Sequence, residues 1–249
     1  RQDLIGLYKW SEDWQMLFNL DKCSVMHFGF ANEGMEVRLG DKVLGAQKSE
    51  RDLGVIMQSD LKVDKQCSKA ANEANKRLGM IHRNFKCKAK KVILPLYKSI
   101  VRPHLDYCVQ AWRPHYRKDV DKLEKVQRRA TRMVEGLEGY SYEDRLRILG
   151  LTTLETRFLR ADLIEVFKIL RGFENLDPDR FFQVVGDGVR RGHSFKLFKK
   201  RYRLDVGKFK FASRVCEEWN RLGDGIVSAG TMKVFKTRLD HHLKNVRGY

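Results

Sequence analysis

The residues of this chain best placed to do chemistry are cations, and they gather on one side of a helix. In "KLEKVQRRATRMVEG" (122–136), steps of about 100° per residue put Leu123, Val126, Ala130, Met133, Val134 and Leu137 within one arc. Lys122, Lys125, Arg128, Arg129 and Arg132 fall on the opposite side, interrupted only by Glu124 and Glu135. Such a face suits a polyanion; its alternative is a solvated face that binds nothing in particular. Farther along, "FKLFKKRYR" and "KFKF" alternate basic and aromatic residues around Lys199, Lys200 and Arg201. That pattern fits phosphate contact with base stacking, and fits equally a half-buried strand with Phe195, Leu197, Phe209 and Phe211 inward.

Hydrolytic and transfer signatures are not written in the chain. There is no phosphate-cradling G-x-x-x-x-G-K-[ST], no G-x-G-x-x-G after a strand, no H-E-x-x-H and no nucleophile elbow. "DPDR" with Asp187 or Asp205 downstream lacks the spacing of a nuclease carboxylate pair, and paired carboxylates able to hold two magnesium ions are not evident. The five cysteines (Cys23, Cys67, Cys87, Cys108, Cys216) contain no C-x-x-C, and His241 adjoins His242 without i, i+4 spacing, so a reduced, intracellular, metal-free chain is expected. Tyr140, Tyr142, His104 and Trp112 are read as packing residues.

Charge sharpens the polyanion reading. The 249 residues carry a formal net charge of +18 with 42% hydrophobic residues, the composition of a folded chain. Residues 1–60 hold 7 Lys/Arg against 10 Asp/Glu, residues 61–135 hold 20 against 7, and residues 136–249 hold 23 against 15. A local excess of this size in the middle third repels itself unless a polyanion neutralises it, and nucleic acid is the usual one. A membrane surface is disfavoured, because the basic helices have core-type apolar faces without the Trp/Phe stripe of an interfacial anchor. No apolar run approaches 18 residues, and the opening "RQDLIGLYKW" has neither an initiator Met nor a signal-peptide core, which reads as a cut inside a larger protein.

The elements that must position these residues follow from periodicity. Leu4, Leu7, Trp10, Trp14 and Leu17 mark a helix broken at Asn19-Leu20-Asp21. "KCSVMHFGF" (22–30) and "RDLGVIMQ" (51–58) read as strands and "MEVRLGDKVLG" (35–45) as a hairpin turning at Gly40-Asp41, together a small antiparallel sheet with a helix on one face. From residue 66 the period becomes helical, with Ala71, Ala74, Leu78, Ile81 and Phe85 inward and Lys69, Lys76 and Arg77 mostly outside that face. Helices are expected at about 89–101 and 103–113, Arg102 being pushed toward extended geometry by Pro103. Ser141 and Asp144 form a capping box for a short helix to Leu149, and Leu159, Leu163, Val166, Phe167 and Leu170 line a long one ended by Gly172. Residues 173–193 read as a loop or short strand pair, and helices at about 211–222 and 231–245 close the chain on Val215, Trp219, Leu222 and on Val234, Phe235, Leu239, Leu243. The expected class is α+β, mostly helical.

The order of the blocks "WSEDWQMLFNLDKCSVMHFG", "ERDLGVIM", "LYKSIVRPHLDYCVQAWRPH", "LEKVQRRATRMV", "LGLTTLETRFLRADLIEVFKIL" and "FASRVCEEWNRL" closely resembles the C-terminal part of the reverse transcriptase of non-LTR retrotransposons of the jockey and chicken-repeat kind. The resemblance spans nearly the whole chain and is weakest at about 30–50 and 173–192. It implies the end of a palm with its primer grip over 1–60, a helical thumb over 61–135 and a basic C-terminal domain over 136–249. It matches Lys22 to a lysine near the incoming nucleotide and Asp52-Leu53-Gly54-Val55 to the primer grip, with Gly54 allowing close backbone approach. It implies that the catalytic aspartates of the palm precede residue 1, that Mg2+ is held only by the complete polymerase, and that the missing N-terminal polymerase and endonuclease parts are partners of this chain. Partners would be element RNA, an RNA–DNA hybrid and target DNA, in the nucleus with a cytoplasmic ribonucleoprotein stage. Lys69, Lys76, Arg77, Lys122, Lys125, Arg128, Arg129, Arg132, Lys199, Lys200 and Arg201 are the cations expected to meet nucleic acid. A standalone, retrotransposon-derived nucleic-acid-binding protein without catalysis is the alternative. The chain departs from the family pattern at "WNRLGDGIVSAG", where Gly223 replaces a common proline, and it lacks the C-terminal zinc knuckle of some other relatives.

Overall fold

A computed structural model describes residues 2–29, 31–185 and 192–247. The chain is a mostly helical α+β protein with two compact units, Arg1–Gln66 and Cys67–Tyr249. The boundary expected at 135/136 falls inside the second unit.

In the first unit, helix α1 (Gln2–Asp13) stops short of the expected break at Asn19. Gln15 takes the left-handed conformation (φ 55), Gln15 N donates to Glu12 O at 3.1 Å and Met16 N to Ser11 O at 2.8 Å. This is a Schellman ending without its usual glycine. It leaves Trp14 and Leu17, expected on the inner face, 68% and 73% exposed. Three two-stranded pairs follow: β1 (Ser24–Val25) parallel to β4 (Gly45–Ala46), and two antiparallel pairs, β2 (Arg38–Leu39) with β3 (Lys42–Val43) and β5 (Ser49–Asp52) with β6 (Val55–Gln58). The β2–β3 turn falls at Gly40 (φ 59), as the sequence pattern predicts, and there the Tyr8 ring occupies the space a Cβ would need. The single strand expected over 51–58 is instead a hairpin. Asp52 pairs with Val55, and Leu53 (φ 43) and Gly54 (φ 90) form a turn of the mirror-image type whose twist matches the strands.

Helix α2 (Asp64–Asn84) leads into the second unit, burying Ala71, Ala74, Leu78 and Ile81 while Phe85, expected inward, lies exposed beyond its end. Helix α3 (Lys90–Leu96) passes through a π turn (Tyr97–Val101) into α4 (Arg102–Asp106). Arg102 is therefore helical (φ −60, ψ −36), not extended. Pro103 has no N–H to donate, and the wider π turn, in which Arg102 N reaches back to Tyr97 O, makes room for its ring. The actual break is at left-handed Cys108 (φ 52), which separates off α5 (Val109–Trp112).

Helices α6 (Arg117–Arg132), α7 (Tyr142–Leu149) and α8 (Leu154–Leu170) form the centre. Ser141 Oγ accepts from Asp144 N at 3.1 Å, left-handed Gly150 closes α7, and Thr153 caps α8. After the short helix α9 (Asp205–Lys208), one flank of α8 shares a core with α10 (Phe211–Arg214), α11 (Cys216–Asn220) and α12 (Asp224–Val227) and with the closing α13 (Met232–Arg247). Phe167 stacks on Phe235 with centroids 4.0 Å apart, beside Trp219, Leu239 and Leu243. Val234, expected inward, is 38% exposed. The described part of 173–193 holds a short 3-10 turn (Pro178–Arg180) and one bridge, Val184 to Leu197; Asp187 lies outside the described residues.

Two buried carboxylates pin this unit together. Asp162, fully buried on α8, accepts from Arg214 at 2.9 Å through both oxygens and from Arg113 Nη1 at 2.9 Å. Arg214 Nη2 also donates to Gln110 O at 2.8 Å, so one guanidinium joins α5, α8 and α10. Glu124 on α6 accepts from Leu154 N at 2.9 Å, at the positive end of α8, and from the Tyr142 hydroxyl. Gln127 completes the node, accepting from the Tyr97 hydroxyl at 2.7 Å and donating to Thr152 O at 3.0 Å. Burial raises the Glu124 carboxyl above its usual range, opposed by these donors.

Candidate nucleic-acid interface

Helix α6 carries its cations as the sequence pattern predicts, on the side away from Leu123, Val126 and Ala130, all of which are buried. Tertiary contacts then divide those cations. Lys122 Nζ donates to Ser68 Oγ at 2.9 Å and pairs with the buried Asp119 at 3.3 Å, while Arg129 Nη1 donates to Asn75 Oδ1 at 3.1 Å. Both cross-helix bonds join residues 54 apart in sequence, so α2 and α6 run parallel and in register. On the other flank Arg128 lies over the Tyr142 ring, 4.3 Å from its centroid.

Helical geometry explains the division. Taking Lys125 as the zero of rotation, Lys122 and Arg129 lie about 40–60° to one side, toward α2, and Arg128 about 60° to the other, toward α7. Lys125 and Arg132 lie between them, within about 20° of each other, on the outward line. All of Lys125, Arg128, Arg129 and Arg132 are exposed. The result is a stripe with i, i+3, i+4, i+7 spacing, its two edges anchored by neighbours and its centre open. Lys122 is the exception to the expected role, because its ammonium compensates a buried carboxylate and is half withdrawn from solvent.

The other expected cations spread out. On α2, Lys76 pairs with Glu73 at 2.7 Å, and Lys69 and Lys76 lie about 100–120° round the helix from Asn75, flanking the α6 stripe. Arg77 lies about 160° from Asn75, on the far edge, and does not extend the stripe. Lys199, Lys200 and Arg201 are exposed in the segment before α9, where Lys199 pairs with Glu217. In the first unit Lys22 is exposed at the end of a 3-10 turn (Leu20–Lys22), and Leu53 is 86% exposed at the hairpin tip, with Val55 buried beneath.

Sequence periodicity does not single out Glu124, Gln127 and Asp119, buried polar residues on a helix whose polar side is expected to face a polyanion. Their one signal is position: Glu124 and Gln127 flank the apolar arc at i, i+3, where a polar residue is either at the rim or paired beneath it. Of the residues read as packing groups, Trp112 and Tyr142 are buried whereas Tyr140 is 51% exposed. Among the described residues no group of three or more His, Cys, Asp or Glu could hold a metal ion, no cysteine is paired, and no helix is long and apolar enough to cross a membrane. No protein-family model, curated protein or solved structure matches this chain.

Proposed function

We propose that this chain grips nucleic acid through the α6 stripe, as the thumb-bearing C-terminal part of a non-LTR retrotransposon reverse transcriptase that holds the template–primer duplex. The observation that carries the reading is the anchored stripe itself: four exposed cations on one helix line, with Lys125 and Arg132 unencumbered at its centre. Over the about 10 Å from Lys125 to Arg132 a duplex presents about six phosphates, counting both strands. A helix can therefore meet the backbone without reading base edges, which suits an enzyme indifferent to sequence. The ordered sequence blocks supply the polymerase part of the reading, in which the metal-binding aspartates lie outside this chain and the Leu53-Gly54 hairpin tip approaches the primer.

The test is binding of the chain to an RNA–DNA hybrid, to single-stranded RNA and to duplex DNA across salt. Steeply salt-dependent binding of the hybrid, weakened by Arg128→Glu, Arg129→Glu and Arg132→Glu together, is expected; salt-indifferent binding, or none, refutes the reading. A nucleic-acid-binding protein without catalysis would use the same stripe. Primer extension after joining this chain to a palm segment bearing the aspartates separates the two.

A further inference from the structure

A second basic surface lies in the last third of the chain, and its chemistry differs from that of α6. Lys199, Lys200, Arg201, Tyr202, Lys208, Phe209 and Glu217 are among the residues lining an open cleft of about 530 Å3. Lys200, Tyr202 and Ser213 also wall an adjoining recess of about 120 Å3, whose other sides include Phe181, Phe198, Gln183 and Lys210. The cleft is thus a cationic channel, and the recess combines aromatic walls with charged ones, Asp179 and Arg180 included. The cleft's acidic partners are weakly held: Glu217 pairs with Lys199 and Asp205 with Lys208 at 3.2 Å, all roughly half exposed, so a phosphate can replace either carboxylate at little cost.

The ring at the junction is fixed in place. Tyr202 packs close against Gly207, where an added Cβ would come within 2.5 Å of the ring at Cδ1. The Lys210 ammonium stands 4.5 Å from the Tyr202 ring centroid, and bonds from Lys210 to the hydroxyl hold the phenol below its usual pKa. Phe209 stacks on His115 at 4.1 Å, with planes 5° apart, and keeps 38% of its surface exposed on the cleft side. Phe209, backed by His115 and exposed on its other side, is a stacking platform for an unpaired base, and Tyr202 is held in the same cleft with Gly207 and Lys210 against its ring; a duplex has no unpaired base to offer either.

We infer that this cleft and recess bind single-stranded nucleic acid, with Lys199, Lys200 and Arg201 on successive phosphates and one unpaired base seated beside Tyr202 in the recess. The recess has room for a single planar base and not for a pair. This deepens the proposed function by assigning single strand to the C-terminal helices and duplex to α6, but it stands on separate residues and fails separately.

The test uses the full chain and three fluorescent probes: oligo(dT), the same strand with abasic sites, and an RNA–DNA hybrid. Tyr202→Ala is expected to weaken oligo(dT) roughly tenfold, the abasic strand less than twofold and the hybrid not at all, because stacking on one ring is lost. Tyr202→Phe keeps the ring and is expected to retain affinity. Lys200→Glu with Arg201→Glu should weaken both single strands and spare the hybrid, whereas Lys125→Gln with Arg132→Gln should do the reverse. Gly207→Ala, which displaces the ring without touching a charge, is expected to copy Tyr202→Ala, with an unchanged melting curve showing that the fold persists. Equal loss on all probes from the Tyr202 or Lys200/Arg201 variants, or an abasic strand bound as tightly as oligo(dT), overturns the inference. Loss of hybrid binding alone in the Lys125/Arg132 variant leaves it standing.

Discussion

Replacing Lys125 and Arg132 with glutamine removes the centre of the α6 stripe and nothing else. Both side chains are exposed, and no hydrogen bond or ion pair holds either among the described residues, so the fold has no reason to change. If all four stripe cations each neutralise one phosphate of a duplex, log K falls against log salt with a slope of about −3.6, or about 150-fold in affinity between 50 and 200 mM salt. With two cations left the slope becomes about −1.8 and the loss over the same range about 12-fold. Fluorescence anisotropy with a labelled duplex at several salt concentrations measures both slopes, and a thermal melt of each variant controls for folding. Lys122→Gln supplies the contrast, since that ammonium serves Asp119 and Ser68: the slope should stay near the parent value while the melting temperature drops. An unchanged slope in the double variant would refute the assignment of this stripe to phosphate.

The remaining expectations concern how the sites are held. Asp162→Ala leaves Arg113 and Arg214 as uncompensated charges at a buried position and should cost about 3–5 kcal/mol in urea unfolding of the second unit; a loss below about 1 kcal/mol would mean that water replaces the carboxylate. Leu53→Gly relieves a left-handed leucine and should slow hydrogen exchange of the β5–β6 hairpin amides, by up to about 1 kcal/mol after the entropy cost of glycine; faster exchange would contradict it. His193 is buried with Nε2 3.2 Å from Trp219 O, and burial pushes its pKa below the usual histidine range. The unfolded chain then takes up the proton first, near about pH 6.5, so stability is full above that value and declines as pH falls through it toward the folded pKa. Burial lowers His115 in the same direction, and its contribution has the same sign. His193→Phe should flatten the acid limb of a urea midpoint against pH curve, and an unchanged limb would assign it to other groups.

Much of the helical layout is legible in the sequence, because a 3.6-residue period reports directly which side of a helix meets the core. The apolar arcs of α6 and α8, the Ser141 cap, the Gly172 stop and the Gly40 turn all lie where residue types alone put them. Backbone conformations that no residue type announces were not legible. Gln15, Leu53 and Cys108 adopt positive φ without being glycine or asparagine, so α1 ends early, a strand becomes a hairpin and the helix expected over 103–113 breaks. Each is a local strain offset by contacts made elsewhere in the fold.

The sequence by itself determined that α6 has a cationic side; only the tertiary structure decided what each cation does there. Lys122, Lys125, Arg128 and Arg129 share one side of a helical projection, which does not say what packs beside each. Packing α2 and α7 alongside turns Lys122 to Ser68, Arg129 to Asn75 and Arg128 to Tyr142, and leaves Lys125 and Arg132 facing out. The same holds for Glu124, which looks in sequence like a break in a basic surface and in the fold is the buried acceptor at the start of α8. Charge pattern is a property of one helix, whereas the partner of a charge is set by whichever element packs across from it, and that element can lie many residues away.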